Sequence, residues 1–171
     1  MTPAHTTGLP AELVCSNSFK SELLPSAHGL LKSELHFLHS PLLGCAVSHA
    51  VPAGSALAVD RTAFSRAILQ KVERTPDITL IRKECACPPE SGSLCCIAAG
   101  PLASDRLTEW IQQTVGTSHL HFYDAIAPIV SVDSIDFPPA FYGSRWKRDA
   151  TDYGNCPFTK EEYDRFYSAL R

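Results

Sequence analysis

Two hydrophobic periods alternate along this chain, and the alternation limits the folds open to it. Leu30, Leu31, Leu35 and Leu38 recur at helical spacing, which predicts a helix over 30–39. Phe64, Ala67, Ile68 and Val72 do the same, behind an Asp60 placed to cap them. Ser104 or Asp105 opens a third helix with Leu107, Trp110, Ile111 and Val115 on one side, and Gly116 stops it. Thr159 and Glu162 form a capping box before a last helix carrying Tyr163, Phe166, Tyr167 and Leu170. Between these, "VPAGSALAV" gives a Gly/Pro turn and a short apolar run, and further short runs read as strands: "ITLIR" at 78–82, the all-apolar "LCCIAAG" at 94–100, "HLHFYD" at 119–124 and "APIVSV" at 127–132. Residues 137–155 are expected to be irregular, with a basic knot at Arg145, Lys147 and Arg148. The order predicts an α/β layer with parallel strands and ligands at the carboxyl ends of those strands. "IAAGP" (residues 97–101) sits at such an end. It reads either as a close-approach site for a cofactor or as a plain turn.

Composition narrows the class. With 171 residues, 44% apolar and a net charge of −3, the chain is that of a globular protein with one ordinary core. No apolar run approaches the ~20 residues of a membrane helix, and the first residues carry no secretory pattern. The mildly acidic balance gives no broad footprint for nucleic acid, so any RNA contact rests on a local patch. The seven cysteines are an odd number. With no export signal they read as reduced thiols in a cytoplasmic protein.

Cys85, Cys87, Cys95 and Cys96 form a C-x-C…C-C cluster. Zinc is one reading. Core packing is the other, because adjacent cysteines on a strand point to opposite faces and cysteine is often buried. No metal site is expected, since His36 with His39 and His119 with His121 have no further ligand at a suitable spacing. The chain has no G-x-G-x-x-G, Walker or G-x-S-x-G motif. Cys15, in "PAELVCSNSFKS", stands before Ser16, Asn17 and Ser18, which are good cap residues. A thiol at a helix N-terminus becomes a nucleophile near neutral pH. The alternatives are a packed cysteine, or a thiol enzyme pairing Cys15 with a histidine such as His5 or His28.

"TPAHTTGLPAELVCSNSFKS", "VPAGSALAVDR", "AAGPLASD", "FYDAIAPIVSVDSID" and "NCPFTKEEYDRFYSAL" follow one another in the order and spacing of one family. Through them the chain resembles the folate- and FAD-dependent tRNA (uracil-5-)-methyltransferases of bacteria, over essentially its whole length. The resemblance implies an incomplete FAD-binding Rossmann-type domain, without its first strand and G-x-G-x-x-G loop, over 1–118. Residues 119–171 are then the start of an inserted substrate domain. Such a chain is about two-fifths of the family's two-domain enzyme and inactive alone. The alternatives are a standalone binding module or one half of a split flavoprotein, with the remainder on another chain.

The resemblance also implies roles. Cys15 is the flavin-side catalytic cysteine, with Ser16 and Asn17 as its cofactor-side neighbours. Cys85 follows the adenine-side strand. Ala98, Ala99, Gly100 and Pro101 match an A-T-G-P turn beside FAD, with Ala99 in place of threonine. Tyr123 and Asp124 lie on the strand leading to the inserted domain. Ser55 replaces a glycine, which is costly if that position needs a positive φ. Arg145, Lys147, Arg148 and Lys160 face the tRNA T loop or are simply a solvated face. NAD(P)H and 5,10-methylenetetrahydrofolate are the implied co-substrates. The cysteine that adds to C6 of the T-loop uridine is a second one, which these 171 residues do not contain.

Overall fold

The computed structural model describes residues 5–88, 92, 94–100, 103–116, 130–137, 139–144 and 151–171. Five helices and five strands lie among them: β1 (Ser18–Ser21), α1 (Ala27–Phe37), α2 (Pro41–Ser48), β2 (Ala50–Val51), β3 (Ala56–Val59), α3 (Arg61–Glu73), α4 (Asp105–Val115), β4 (Phe141–Gly143), β5 (Tyr153–Asn155) and α5 (Lys160–Leu170). The chain divides into two compact units. One comprises Met1–Asn17, Pro41–His49 and Val59–Ala127, and the other Ser18–Ser40, Ala50–Ala58 and Pro128–Arg171.

The first unit is helical. α2 packs against α3, and Cys45, Ala46, Val59, Phe64, Ser65 and Ile68 are buried. α3 begins where the sequence predicts it. The Asp60 carboxylate accepts the Ala63 N–H at 2.9 Å, satisfying one of the N–H groups a helix start leaves open. α2 was not expected, although Pro41 at its first position is a favoured start. α4 is bounded as predicted, by Ser104 at its start and by Gly116 at φ 70° at its end. Its Leu107, Trp110 and Ile111 are half-buried, and Val115 is exposed.

The second unit holds the sheets. The first has order β1-β3-β2, with β1 antiparallel to β3. The four residues between β2 and β3 are too few for a parallel crossover, so these two form a hairpin. Gly54, at φ 64°, makes that turn. Its N–H donates to the Asp152 carboxylate at 2.7 Å, and the Tyr153 hydroxyl donates to the Ala53 carbonyl at 2.7 Å. Ser55 lies outside the positive-φ residues and is unstrained. β4 and β5 pair antiparallel, Phe141 with Asn155 and Gly143 with Tyr153. α1 packs on β1, and Lys32 Nζ donates to the Ser21 carbonyl at 3.0 Å.

Several expectations are corrected here. The parallel layer is not formed among the described residues; the directed pairings are antiparallel. Residues 78–82 and 94–100 make no strand, and Leu94 is fully exposed, because neither run finds a neighbouring strand to satisfy its backbone groups. The stretch 137–155, expected to be irregular, contains the β4–β5 pair. The strand expected at 119–124 lies outside the described residues. In the run 127–132 only residues 130–132 are described, and Val132 opens a 3₁₀ turn. α1 forms slightly earlier than predicted, with Ser26 as its cap, yet Leu30, Leu31 and Leu38 on its apolar face are exposed.

Gly29 gives the sharpest test of this packing. It is buried in the first turn of α1, and a Cβ there would run into the Leu23 carbonyl. Gly29→Ala is expected to destabilise the second unit by about 2–3 kcal/mol through overpacking, despite alanine's better helix propensity. Asp60→Ala, by comparison, should cost about 1 kcal/mol in chemical denaturation followed by circular dichroism.

Candidate functional site

The segment leading to Cys15 is organised by one carboxylate. Glu12 accepts the backbone N–H of Thr6 at 2.8 Å, of Thr7 at 3.0 Å and of Gly8 at 3.0 Å, and the Thr6 hydroxyl at 2.9 Å. Three consecutive N–H groups converge on one anion, made possible by Gly8 at φ 63°. Partial burial pushes this carboxyl up, but the Thr6 and Thr7 bonds overcome it and hold the group at about 2, against an ordinary 4.5. Ala11 follows at φ 56°, and its carbonyl accepts the hydroxyl of the buried Ser65 at 3.3 Å.

On the far side of Cys15, Asn17 is fixed twice to the buried Val59. Asn17 Nδ2 donates to the Val59 carbonyl at 3.0 Å, and the Val59 N–H donates to the Asn17 carbonyl at 3.0 Å. Cys15 is therefore a half-buried free thiol on a short irregular segment pinned at both ends. No helix follows it. Ser18 opens a strand, and the first helix begins at Ala27. The expectation that a helix N-terminus activates this thiol is corrected: Asn17 spends its side chain on a tertiary hydrogen bond instead of a cap.

Ser16, Cys85, Ala98, Ala99 and Gly100 belong to the same compact unit as Cys15 and Asn17. Ala98, Ala99 and Gly100 are exposed and irregular, and Gly100 has φ 71° with open space where a side chain would stand. Cys85 is exposed, its Sγ 3.2 Å from the Cys87 carbonyl. Cys87, Cys95 and Cys96 are exposed as well and join no core among the described residues; Cys45 is buried. Among the described residues, no group of three or more His, Cys, Asp or Glu could hold a metal ion. In the other unit, Lys160 opens α5 and pairs with Asp164 at 2.7 Å on the surface. Pro101, Tyr123, Arg145, Lys147 and Arg148 lie outside the described residues. Glu12 is the member of this site that the sequence reading missed. The signal available was a Gly-containing turn followed within one turn's reach by a carboxylate.

Residues 2–171 match the family model described as glucose inhibited division protein A. The chain belongs to this family. Among curated proteins it is 51% identical over 170 residues to the Methylenetetrahydrofolate--tRNA-(uracil-5-)-methyltransferase TrmFO of Aquifex aeolicus (strain VF5), covering 99% of this chain and 38% of that protein. It is equally identical, with the same coverage, to the enzyme of that name from Heliobacterium modesticaldum (strain ATCC 51547 / Ice1). It is 49% identical over 174 residues to that of Lawsonia intracellularis (strain PHE/MN1-00), covering 39% of it. The chain thus spans less than two-fifths of the length of these relatives.

The Glu12 clamp carries a pH signature. Its folded value lies below its unfolded one, so its stabilisation is complete above pH 4.5 and disappears as pH falls through about 2. Glu12→Gln places an amide before donors that need an anion. It should cost about 1–2 kcal/mol near neutral pH and remove part of the acid limb of thermal stability measured from pH 6 to pH 2.

Proposed function

We propose that this chain is the flavin-side segment of a folate-dependent tRNA (uracil-5-)-methyltransferase, and that it needs the remaining three-fifths of the family's length, on the same or another chain, to act. The observation that supports this most is the 51% identity maintained over 170 residues with proteins bearing that name. In this reading residues 1–118 belong to the FAD-binding domain and 119–171 to the inserted substrate domain. The reaction forms 5-methyluridine in the tRNA T loop, with 5,10-methylenetetrahydrofolate as one-carbon donor and NAD(P)H as reductant.

The residues present fit a flavin nucleotide in one checkable respect. The backbone at 98–100 carries small side chains, is exposed, and at Gly100 leaves open the space a Cβ would fill. In this reading Ala98, Ala99 and Gly100 line the cofactor, and the family resemblance adds Pro101, Ser16, Cys85 and Tyr123. Ala99 has no hydroxyl to offer, so recognition there falls to backbone groups. When bound, FAD supplies the reducing equivalents that complete the methyl group.

Cys15 is the thiol on the flavin side in this reading, and its setting supports it. The Glu12 clamp on one side and the Asn17–Val59 pair on the other restrict where its Sγ can travel, which lowers the entropy lost on reaching a fixed electrophile. Arg145, Lys147, Arg148 and Lys160 are the cations this reading assigns to RNA phosphates. Lys160 is held by an exposed i,i+4 pair worth only ~0.3–0.5 kcal/mol, so exchange of Asp164 for a phosphate costs little.

The test is a substitution of this chain for the matching segment of the Aquifex aeolicus relative. The chimera is expected to purify yellow, with stoichiometric flavin, and to form 5-methyluridine in T-loop transcripts, while the isolated chain purifies colourless. Cys15→Ala in the chimera should abolish methylation and leave flavin content unchanged. A colourless, inactive chimera that is nevertheless folded would overturn the reading.

A further inference from the structure

Four of the seven cysteines are exposed within a stretch of twelve residues, the reverse of the usual burial of this residue. Two of them have the geometry of a reactive pair. Cys85 and Cys87 flank Ala86, which is half-buried, while both cysteines are exposed. The chain bends at Ala86 and Cys87, and Cys85 Sγ lies 3.2 Å from the Cys87 carbonyl oxygen. One side chain of the pair therefore already reaches the other residue.

Chain geometry permits a bond within this pair. Two residues of extended chain span at most roughly 7 Å between the outer Cα atoms. A bend brings that into the range of about 4.4–6.8 Å that a disulfide spans. The neighbouring Cys95 and Cys96 are joined by a single peptide, and their Cα atoms stand about 3.8 Å apart, short of that range. Cys45 is buried in α2, and Cys15 is half-buried. The segment leading into the dithiol makes two polar contacts. Arg82 donates to the Gly8 carbonyl at 3.0 Å, and Glu84 pairs with Arg106 at 3.6 Å. No helix or strand hydrogen bond holds Cys85 or Cys87 themselves, so ring closure breaks no ladder.

We propose that Cys85 and Cys87 form a redox modification site, a C-x-C dithiol that a small disulfide such as oxidised glutathione converts to an intramolecular disulfide. In the first step one thiolate attacks the glutathione disulfide, forms a mixed disulfide and releases one glutathione thiolate. In the second the other thiolate attacks the cysteine sulfur of that mixed disulfide, closes the ring and expels the second glutathione. The two cysteine protons pass to the two departing thiolates. The dithiol is oxidised by two electrons, and the glutathione disulfide is reduced by two. The site shares Cys85 with the flavin reading, and the test below reads the dithiol directly in the chain without bound flavin.

The experiment is equilibration of the chain in glutathione buffers of graded ratio, acid quenching, alkylation with iodoacetamide and mass analysis of the peptide spanning residues 84–106. The expected product is that peptide lighter by two hydrogens, with two alkylations in place of four. The Cys95→Ser/Cys96→Ser double variant should retain the loss of two hydrogens. Cys85→Ser and Cys87→Ser should each lose it and carry a glutathione adduct on the remaining partner. Persistence of the intramolecular bond in Cys87→Ser, or a wild-type peptide bearing glutathione adducts alone, would overturn the assignment.

Discussion

Val59 has both of its backbone polar groups taken by one residue 42 positions away. It is fully buried, so its N–H and carbonyl have no access to water and must find partners within the protein. Asn17 supplies both, one from its main chain and one from its side chain. The next residue, Asp60, donates its N–H to the His49 carbonyl at 3.0 Å and caps α3 with its carboxylate. Two adjacent residues thus tie the N-terminal segment, the end of α2 and the start of α3 together. Loss of the Asn17 amide would leave a carbonyl stranded in the interior, where an unmet acceptor costs more than the bond contributes when made. The segment bearing Cys15 inherits its position from this junction.

The helix ends were legible because the chemistry that sets them is local. Asp60, Ser104, Gly116 and Thr159 each act within four residues of themselves, and each stands where the pattern placed it. In the last case Thr159 N–H and hydroxyl bonds hold the Glu162 carboxyl below its ordinary range, the reciprocal geometry that the spacing implied. Strands were legible only where a turn fixed the partner. "VPAGSALAV" carries the Gly54 turn and the apolar run that forms β3, and β3 lies beside β2; "ITLIR" and "LCCIAAG" carry apolar residues but no partner, and they did not form strands. A strand is a relation between two segments, so composition in one of them cannot decide it.

The candidate site was legible in part, and by a different route. Local reasoning on Cys15 placed a helix after it because serine and asparagine are good caps. The same residues serve strands and tertiary bonds equally well, and Asn17 found Val59 instead. Only the longer register of motifs points to a role for the thiol. Glu12 escaped because its partners are main-chain N–H groups, which leave no trace in residue identity apart from the glycine that lets them converge. The exposed cysteines escaped for the complementary reason. Burial preference is an average, and these four sit on a segment whose described residues join no sheet.

β1 is an outer strand of its sheet, and its backbone is irregular. The register slips between Ser18 and Ser21, and Lys20 stands at φ 66°. A regular outer strand presents an even row of donors and acceptors that any extended segment can dock against. Here the row is broken and carries a lysine at the break, so an incoming chain meets mismatched spacing and a positive charge together. The same kink that looks like a defect in the pairing of β1 with β3 protects this edge from strand-by-strand growth into aggregates.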